Sequence, residues 1–189
     1  TSESKTIETL NKIQAALPSP VDEIFHLTIA KNYPLIDGRP QNAVLQQECV
    51  FYGNLVDNIK ATLHVLTKVL KGDLNATAEN IHVLEEIKDS VVPVEWIKPP
   101  YQSAHSLWSF LKTLSQQVEY FRKWVFSSYP EMVWLGAFVF PKAFLTSIIL
   151  ERVYKDRISP RKLCLDFYPL QSISNSPKNS TDGKYYITG

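Results

Sequence analysis

The chain has 189 residues, 44% of them apolar and 21% charged, with 20 basic and 19 acidic side chains and a formal charge of +1. This is the composition of an ordinary soluble globular protein of one domain or two small ones, and it excludes disorder over the whole length. The near balance of charge argues against nucleic acid or an anionic membrane as a partner through bulk electrostatics.

Two cysteines, Cys49 and Cys164, are too few and too distant for a disulfide framework and suit a reducing compartment. No charged-then-apolar leader opens the sequence, and no run reaches the ~18 apolar residues of a membrane helix. Residues 132–150 come nearest, interrupted by Gly136, Pro141 and Lys142. Asn75-Ala76-Thr77 and Asn179-Ser180-Thr181 match the glycosylation acceptor pattern, which has meaning only in a secreted protein.

Taken in sequence order, Ile7, Leu10, Ile13 and Leu17 recur at three-and-four spacing and predict a short amphipathic helix over 6–17, stopped by Pro18 and Pro20. Residues 21–40 are poorly patterned, with Pro34, Asp37-Gly38 and Pro40, and predict a winding connection with one helical turn. Leu45, Tyr52, Leu55, Val56, Ile59, Leu63, Leu66 and Leu70 form one stripe, predicting a long helix over 43–71 closed by Gly72. A further helix is expected over 77–90, with Ile81, Leu84 and Ile87 on one side and Pro93 beyond its end.

The Pro-rich stretch 92–101 reads as a boundary, anchored to a core by Trp96. Leu107, Leu111, Leu114, Val118, Phe121 and Val125 then alternate steps of four and three, the seam of a packed helix over 104–126. The run W-L-G-A-F-V-F-P-K-A-F-L-T over 134–146 is dense in apolar residues, and Pro141 sits where the first turn of a helix tolerates a missing N–H. Phe144, Leu145, Ile148 and Ile149 follow at helical spacing, and the helix should continue to Val153 or Tyr154. Leu163, Leu165 and Phe167 alternate with Cys164, Asp166 and Tyr168 and predict a half-buried strand, a loop follows over 171–178, and after the Asp182-Gly183 turn residues 185–188 read as a second strand. A last strand with nothing after it to pair with reads as part of something longer.

Catalytic chemistry is hard to find. A phosphate loop around Gly136 and Lys142 would need Gly where Pro141 stands and Ser or Thr where Ala143 stands. His26, His64, His82 and His105 are scattered, with no metal-ligand spacing, and read as surface or cap residues. No G-x-S-x-G elbow accompanies any serine. Glu85-Glu86 reads as solvated charge on an exposed helix face, and Asp22-Glu23 as acidic groups near a helix start. Lys155, Arg157, Arg161 and Lys162 are the one basic concentration, read either as a solvated helix end or as a docking surface for an acidic partner.

The ordered punctuation of the sequence resembles the C-terminal region of a dynein heavy chain. Its marks are Leu17-Pro18 with Pro20 and Asp22, Tyr33-Pro34, Asn42-Ala43-Val44-Leu45-Gln46-Gln47-Glu48, and Lys71-Gly72. They continue through Val92-Pro93 to Trp96, Phe121 to Trp124, Trp134-Leu135-Gly136-Ala137-Phe138, Pro141 to Phe144-Leu145-Thr146, Leu163 to Phe167, and Asp182-Gly183. Two departures accompany them: Ser147 to Tyr154 replaces the usual Gln and A-R-K/Q run, and the closing L-E-G-A-x-W-D element does not appear before Gly189. A divergent member of the family, cut or ended early, explains both, and the F-P-x-x-F-L-T form is closer to axonemal than to cytoplasmic members.

The resemblance implies a mainly α, α+β architecture: a helical bundle followed by the first strands of a truncated β-rich cap. It implies residues 1–95 as the small subdomain of the last AAA+ module, 96–160 as the helical start of the C-terminal domain, and 161–189 as the start of the cap. No catalytic, cofactor-binding or metal-binding residue is expected in this segment, with ATP and magnesium held by other modules of the parent protein. Expected partners are the rest of the motor ring in cis and other dynein subunits, not nucleic acid or membrane, in the cytoskeleton of a ciliary axoneme. The function implied is that of a non-catalytic structural and regulatory segment of a microtubule minus-end motor. The residues by themselves leave two other readings, a self-contained helical adaptor and a small hydrolase.

Overall fold

Helix-forming periodicity and well-placed stop signals account for most of the architecture. In a computed structural model of the protein, residues 2–97, 106–163 and 186–187 are described. Six α-helices occur among them: α1 Ser2–Ala16, α2 Glu23–Asn32, α3 Pro40–Leu70, α4 Ala78–Lys88, α5 Leu107–Phe126 and α6 Pro141–Asp156. The protein is mainly α. Among the described residues no helix is long and apolar enough to cross a membrane.

Two units divide the sequence, one made of residues 1–26 and 49–123, the other of residues 27–48 and 124–189. In the first, Leu10 and Ile13 of α1, the α3 stripe from Tyr52 to Leu66, Leu84 and Ile87 of α4, and the α5 seam from Leu107 to Phe121 are buried. Tyr52 and Phe121 meet with ring centroids 5.7 Å apart. Trp96 is buried as expected, in a 3-10 turn Val94–Trp96, and its indole N–H donates to Thr62 Oγ1 at 3.4 Å. Ile81, expected to face the core, is instead exposed, and Val83 takes the buried position.

The helix ends follow local chemistry. Gly72 adopts φ +79, the Asp73 N–H donates to Lys68 O at 2.9 Å and the Gly72 N–H to Val69 O at 3.1 Å, which is a Schellman closure of α3. Helix α4 starts on Thr77, whose hydroxyl accepts the Asn80 N–H, and ends in the same pattern on Ser90, a non-glycine at φ 57. The expected winding connection over 21–40 is corrected: Asp22 Oδ1 accepts the Phe25 N–H at 2.9 Å and caps a ten-residue helix, α2. Its apolar pattern is weak because Ile24 and Leu27 stay exposed while Phe25 and Ile29 are buried.

In the second unit, β1 Val133–Trp134 pairs antiparallel with β2 Tyr186–Ile187, in register Val133 to Ile187 and Trp134 to Tyr186. The expected last strand therefore finds its partner upstream, in the apolar run before α6. The expected strand from Leu163 to Phe167 lies outside the described residues beyond Leu163, as do the loop at 171–178, Asp182-Gly183 and His105.

Candidate functional site

Within the second unit, several of the sequence marks come together around one buried carboxylate. Glu48 projects from α3 and is fully buried. Its two oxygens accept the main-chain N–H groups of Val139 at 2.8 Å and Phe140 at 2.7 Å. The Phe140 N–H is left over by the start of α6, where Phe140 is the N-cap residue and Pro141 the first helical one, and the Val139 N–H belongs to the residue leading into it. No side chain near the helix start caps it locally, so Glu48 does so from a distance. Burial pushes the Glu48 carboxyl up to about 7, against the downward pull of the two main-chain donors.

Around that clasp lies an aromatic group. Phe138 and Phe144 stack with centroids 4.4 Å apart, and Trp124 meets each of them edge-on at 6.1 Å. Tyr129 lies 4.9 Å from Trp124, again edge-on. Edge-to-face and offset arrangements suit the ring quadrupoles. Phe144, Trp124, Phe138 and Val133 are buried, and the small Ala137 and Ser147 are buried with them. Ser147 donates to Phe144 O at 2.6 Å, so its hydroxyl is satisfied inside the helix. Leu145, Ile148 and Ile149, expected in the core, are only half-buried.

A polar frame fixes the backbone leading into α3. The Tyr33 hydroxyl donates to Trp124 O at 3.1 Å, and Asn32 Nδ2 donates to Val125 O at 3.1 Å. Asn42 Nδ2 donates to Pro34 O and Gln46 Nε2 to Tyr33 O, both at 2.8 Å. Gln41 Nε2 donates to Glu151 Oε2 at 2.9 Å, and its carbonyl accepts the Tyr129 hydroxyl at 3.0 Å. Tyr33 and Tyr129 are both pushed above the ordinary phenol range, chiefly by burial, with the Glu151 charge adding to the effect at Tyr129. Every one of these polar groups is engaged by the protein itself.

The residues weighed for chemistry are dispersed. Lys142 is exposed on α6, and a Cβ at Gly136 would lie 2.8 Å from the Trp134 indole nitrogen, so this glycine makes room for that ring. His26, His64 and His82 are exposed. Among the described residues no three His, Cys, Asp or Glu side chains gather as a metal site. Glu85 is solvated, but Glu86 is a correction to the reading of the pair: it is 14% exposed, its Oε1 accepts the Val94 N–H at 3.4 Å, and His82 lies 3.7 Å away. Lys155, Arg157, Arg161 and Lys162 are all exposed.

Glu48 belonged to a sequence mark but carried no assigned role. Its signal was a gap: the α3 stripe runs from Leu45 to Tyr52 with no large apolar residue between them on that face, and Glu48 with Cys49 fills the missing turn.

Comparison with known proteins agrees with the pattern of marks. The family model of the C-terminal domain of the dynein heavy chain matches residues 1–189. The protein is 28% identical over 177 residues to dynein axonemal heavy chain 1 of Rattus norvegicus, covering 94% of this sequence and 4% of that one. It is 30% identical over 151 residues to the Homo sapiens protein of the same name, 80% of this sequence and 4% of that one. With the ciliary dynein beta chain of Tripneustes gratilla it shares 31% over 130 residues, 68% of this sequence and 3% of that one. It thus spans only a few hundredths of the length of the relatives it matches. By the family match over its full length, this protein belongs to the family of C-terminal domains of dynein heavy chains.

Proposed function

We propose that this protein is a non-catalytic structural and regulatory segment of a dynein heavy chain, an ATP-driven motor directed toward microtubule minus ends. One observation carries the reading: Tyr33, Asn42, Gln46, Glu48, Trp124 and Phe144, which belong to the ordered sequence marks, are engaged in internal hydrogen bonds or ring packing rather than lining an open reactive site. Residues 1–95 fit the small helical subdomain of the last AAA+ module, 96–160 the helical start of the C-terminal domain and 161–189 the start of its cap. ATP and magnesium belong to other modules of the parent protein, and the partners are the motor ring in cis and other dynein subunits. The axonemal and ciliary relatives support a place in the axoneme.

Packed helices shift as rigid bodies rather than deform, so α3 and α5 are suited to passing strain along their length. The experiment is microtubule gliding by the parent motor carrying Phe144→Ala. The expected result is altered gliding speed with nucleotide binding at the upstream modules retained; gliding indistinguishable from the parent motor contradicts a mechanical role.

A further inference from the structure

The sequence holds three Ser-Pro pairs, Ser19-Pro20, Ser159-Pro160 and Ser176-Pro177, and only the second has a cation three residues after the serine, in Ser159-Pro160-Arg161-Lys162. Asp22 stands at that position after Ser19, and Asn179 after Ser176. The second pair lies just beyond α6, in the stretch that carries Lys155, Arg157, Arg161 and Lys162.

Proline restricts the residue before it to extended backbone. Ser159 accordingly has φ −68 and ψ 136, is exposed, and makes no side-chain hydrogen bond to the 3-10 turn Pro160–Lys162 that follows. That turn is held by the Lys162 N–H donating to Ser159 O at 3.0 Å and the Leu163 N–H donating to Pro160 O at 3.2 Å. Its three side chains are exposed and Leu163 is half-buried, so straightening it breaks two main-chain bonds and uncovers little apolar surface. Ser19 is exposed as well, but Arg122 Nη2 donates to Ser19 O at 3.0 Å and to Pro20 O at 2.8 Å, and Asp22 caps α2. The backbone is pinned there, whereas at Ser159 it can open. Ser176 lies outside the described residues.

We propose that Ser159 is a phosphorylation site for a proline-directed serine/threonine kinase that also reads a basic residue three positions on. In the transfer the Ser159 Oγ attacks the γ-phosphorus of magnesium ATP and its proton passes to the catalytic aspartate of the kinase. The bond from that phosphorus to the bridging oxygen breaks, and ADP leaves. Pro160 has no N–H, so a kinase cleft can enclose it against an apolar wall without stranding a donor. Lys162 supplies the cation for an acidic part of the same cleft. The phosphate brings about −1.5 to −2 charges at pH 7 among the four cations and next to the negative end of α6, so the modification changes the charge of this helix end. The site stands on these residues alone and does not depend on a mechanical role for the segment.

The test incubates the 189-residue protein with a cyclin-dependent kinase and magnesium ATP, follows phosphate incorporation, and maps it by tandem mass spectrometry. Phosphate is expected on Ser159, and Ser159→Ala should remove it. Lys162→Ala and Pro160→Ala should each lower kcat/KM by about tenfold or more, the scale of losing one recognised group. No incorporation, phosphate that maps chiefly to Ser19 or Ser176, or an unchanged rate in either variant overturns the proposal. So does faster modification of Ser159 by a kinase that reads basic residues before the serine, at a rate that Pro160→Ala leaves unchanged or raises.

Discussion

Glu48, fully buried on α3, accepts the Phe140 N–H at 2.7 Å and so supplies the cap that the start of α6 lacks locally. The same carboxylate takes the Val139 N–H, which fixes the entry of the backbone into the helix through two consecutive peptide groups. Two marks far apart in sequence, the one ending at Glu48 and the one opening at Pro141, are thus two halves of one contact.

Glu48→Gln keeps the shape but turns an NH2 toward one of the two donors. Leaving a buried N–H unsatisfied costs about 1–3 kcal/mol. Glu48→Ala strands both donors and leaves a void, so its loss should exceed that of the glutamine variant. Urea denaturation at pH 5, below the titration of Glu48 in the folded state, measures both, and equal stability of all three proteins contradicts the capping role.

The pH dependence has an unusual sign for a carboxylate. Because folding raises Glu48 from 4.5 to about 7, the folded state holds the proton more tightly than the unfolded one. Its contribution is fully present below about pH 4.5 and is lost as pH rises through 7, after which it is flat. At about 1.4 kcal/mol per pH step the difference between the two limits is on the order of 3 kcal/mol. The stability of the natural protein minus that of Glu48→Gln, followed from pH 4.5 to 8, should fall across this window; a difference that rises with pH contradicts the assignment.

Phe144→Ala should cost about 3–5 kcal/mol, the range for a large buried ring removed from a packed core. Trp134 is only half-buried, so Trp134→Ala should cost clearly less. Thermal denaturation of the two variants decides the order.

Ser90 and Gly72 close α4 and α3 in the same left-handed conformation. Gly72→Ala meets nothing within 4 Å, so its cost is backbone strain alone, about 1 kcal/mol. Ser90→Gly should be neutral to stabilising by up to about 1 kcal/mol. Melting temperatures that move in the opposite directions contradict this reading of the two caps.

What could be read from the sequence was what repeats or punctuates. The α5 seam is buried at each of its named positions, Pro141 opens α6, and Gly72 ends α3, because each depends on local rules. Helix α2 was missed because only Phe25 and Ile29 of its apolar residues are buried, too few to raise a periodic signal, although Asp22 announced its start. Strand β1 is two residues inside an apolar run, too short for alternation to show. Ser90 gave no hint of a positive φ, since serine rarely takes it. Glu48 was legible only as a member of a mark; the partners that bury it, Val139 and Phe140, lie 91 and 92 residues away.

The central claim is that this segment is built to hold and transmit rather than to react. Its most direct test is the thermal stability of the isolated 189-residue protein with and without magnesium ATP, followed by a phosphate-release assay. No change in melting temperature and no release of phosphate are predicted. A nucleotide-dependent shift, or phosphate release above buffer, contradicts the account.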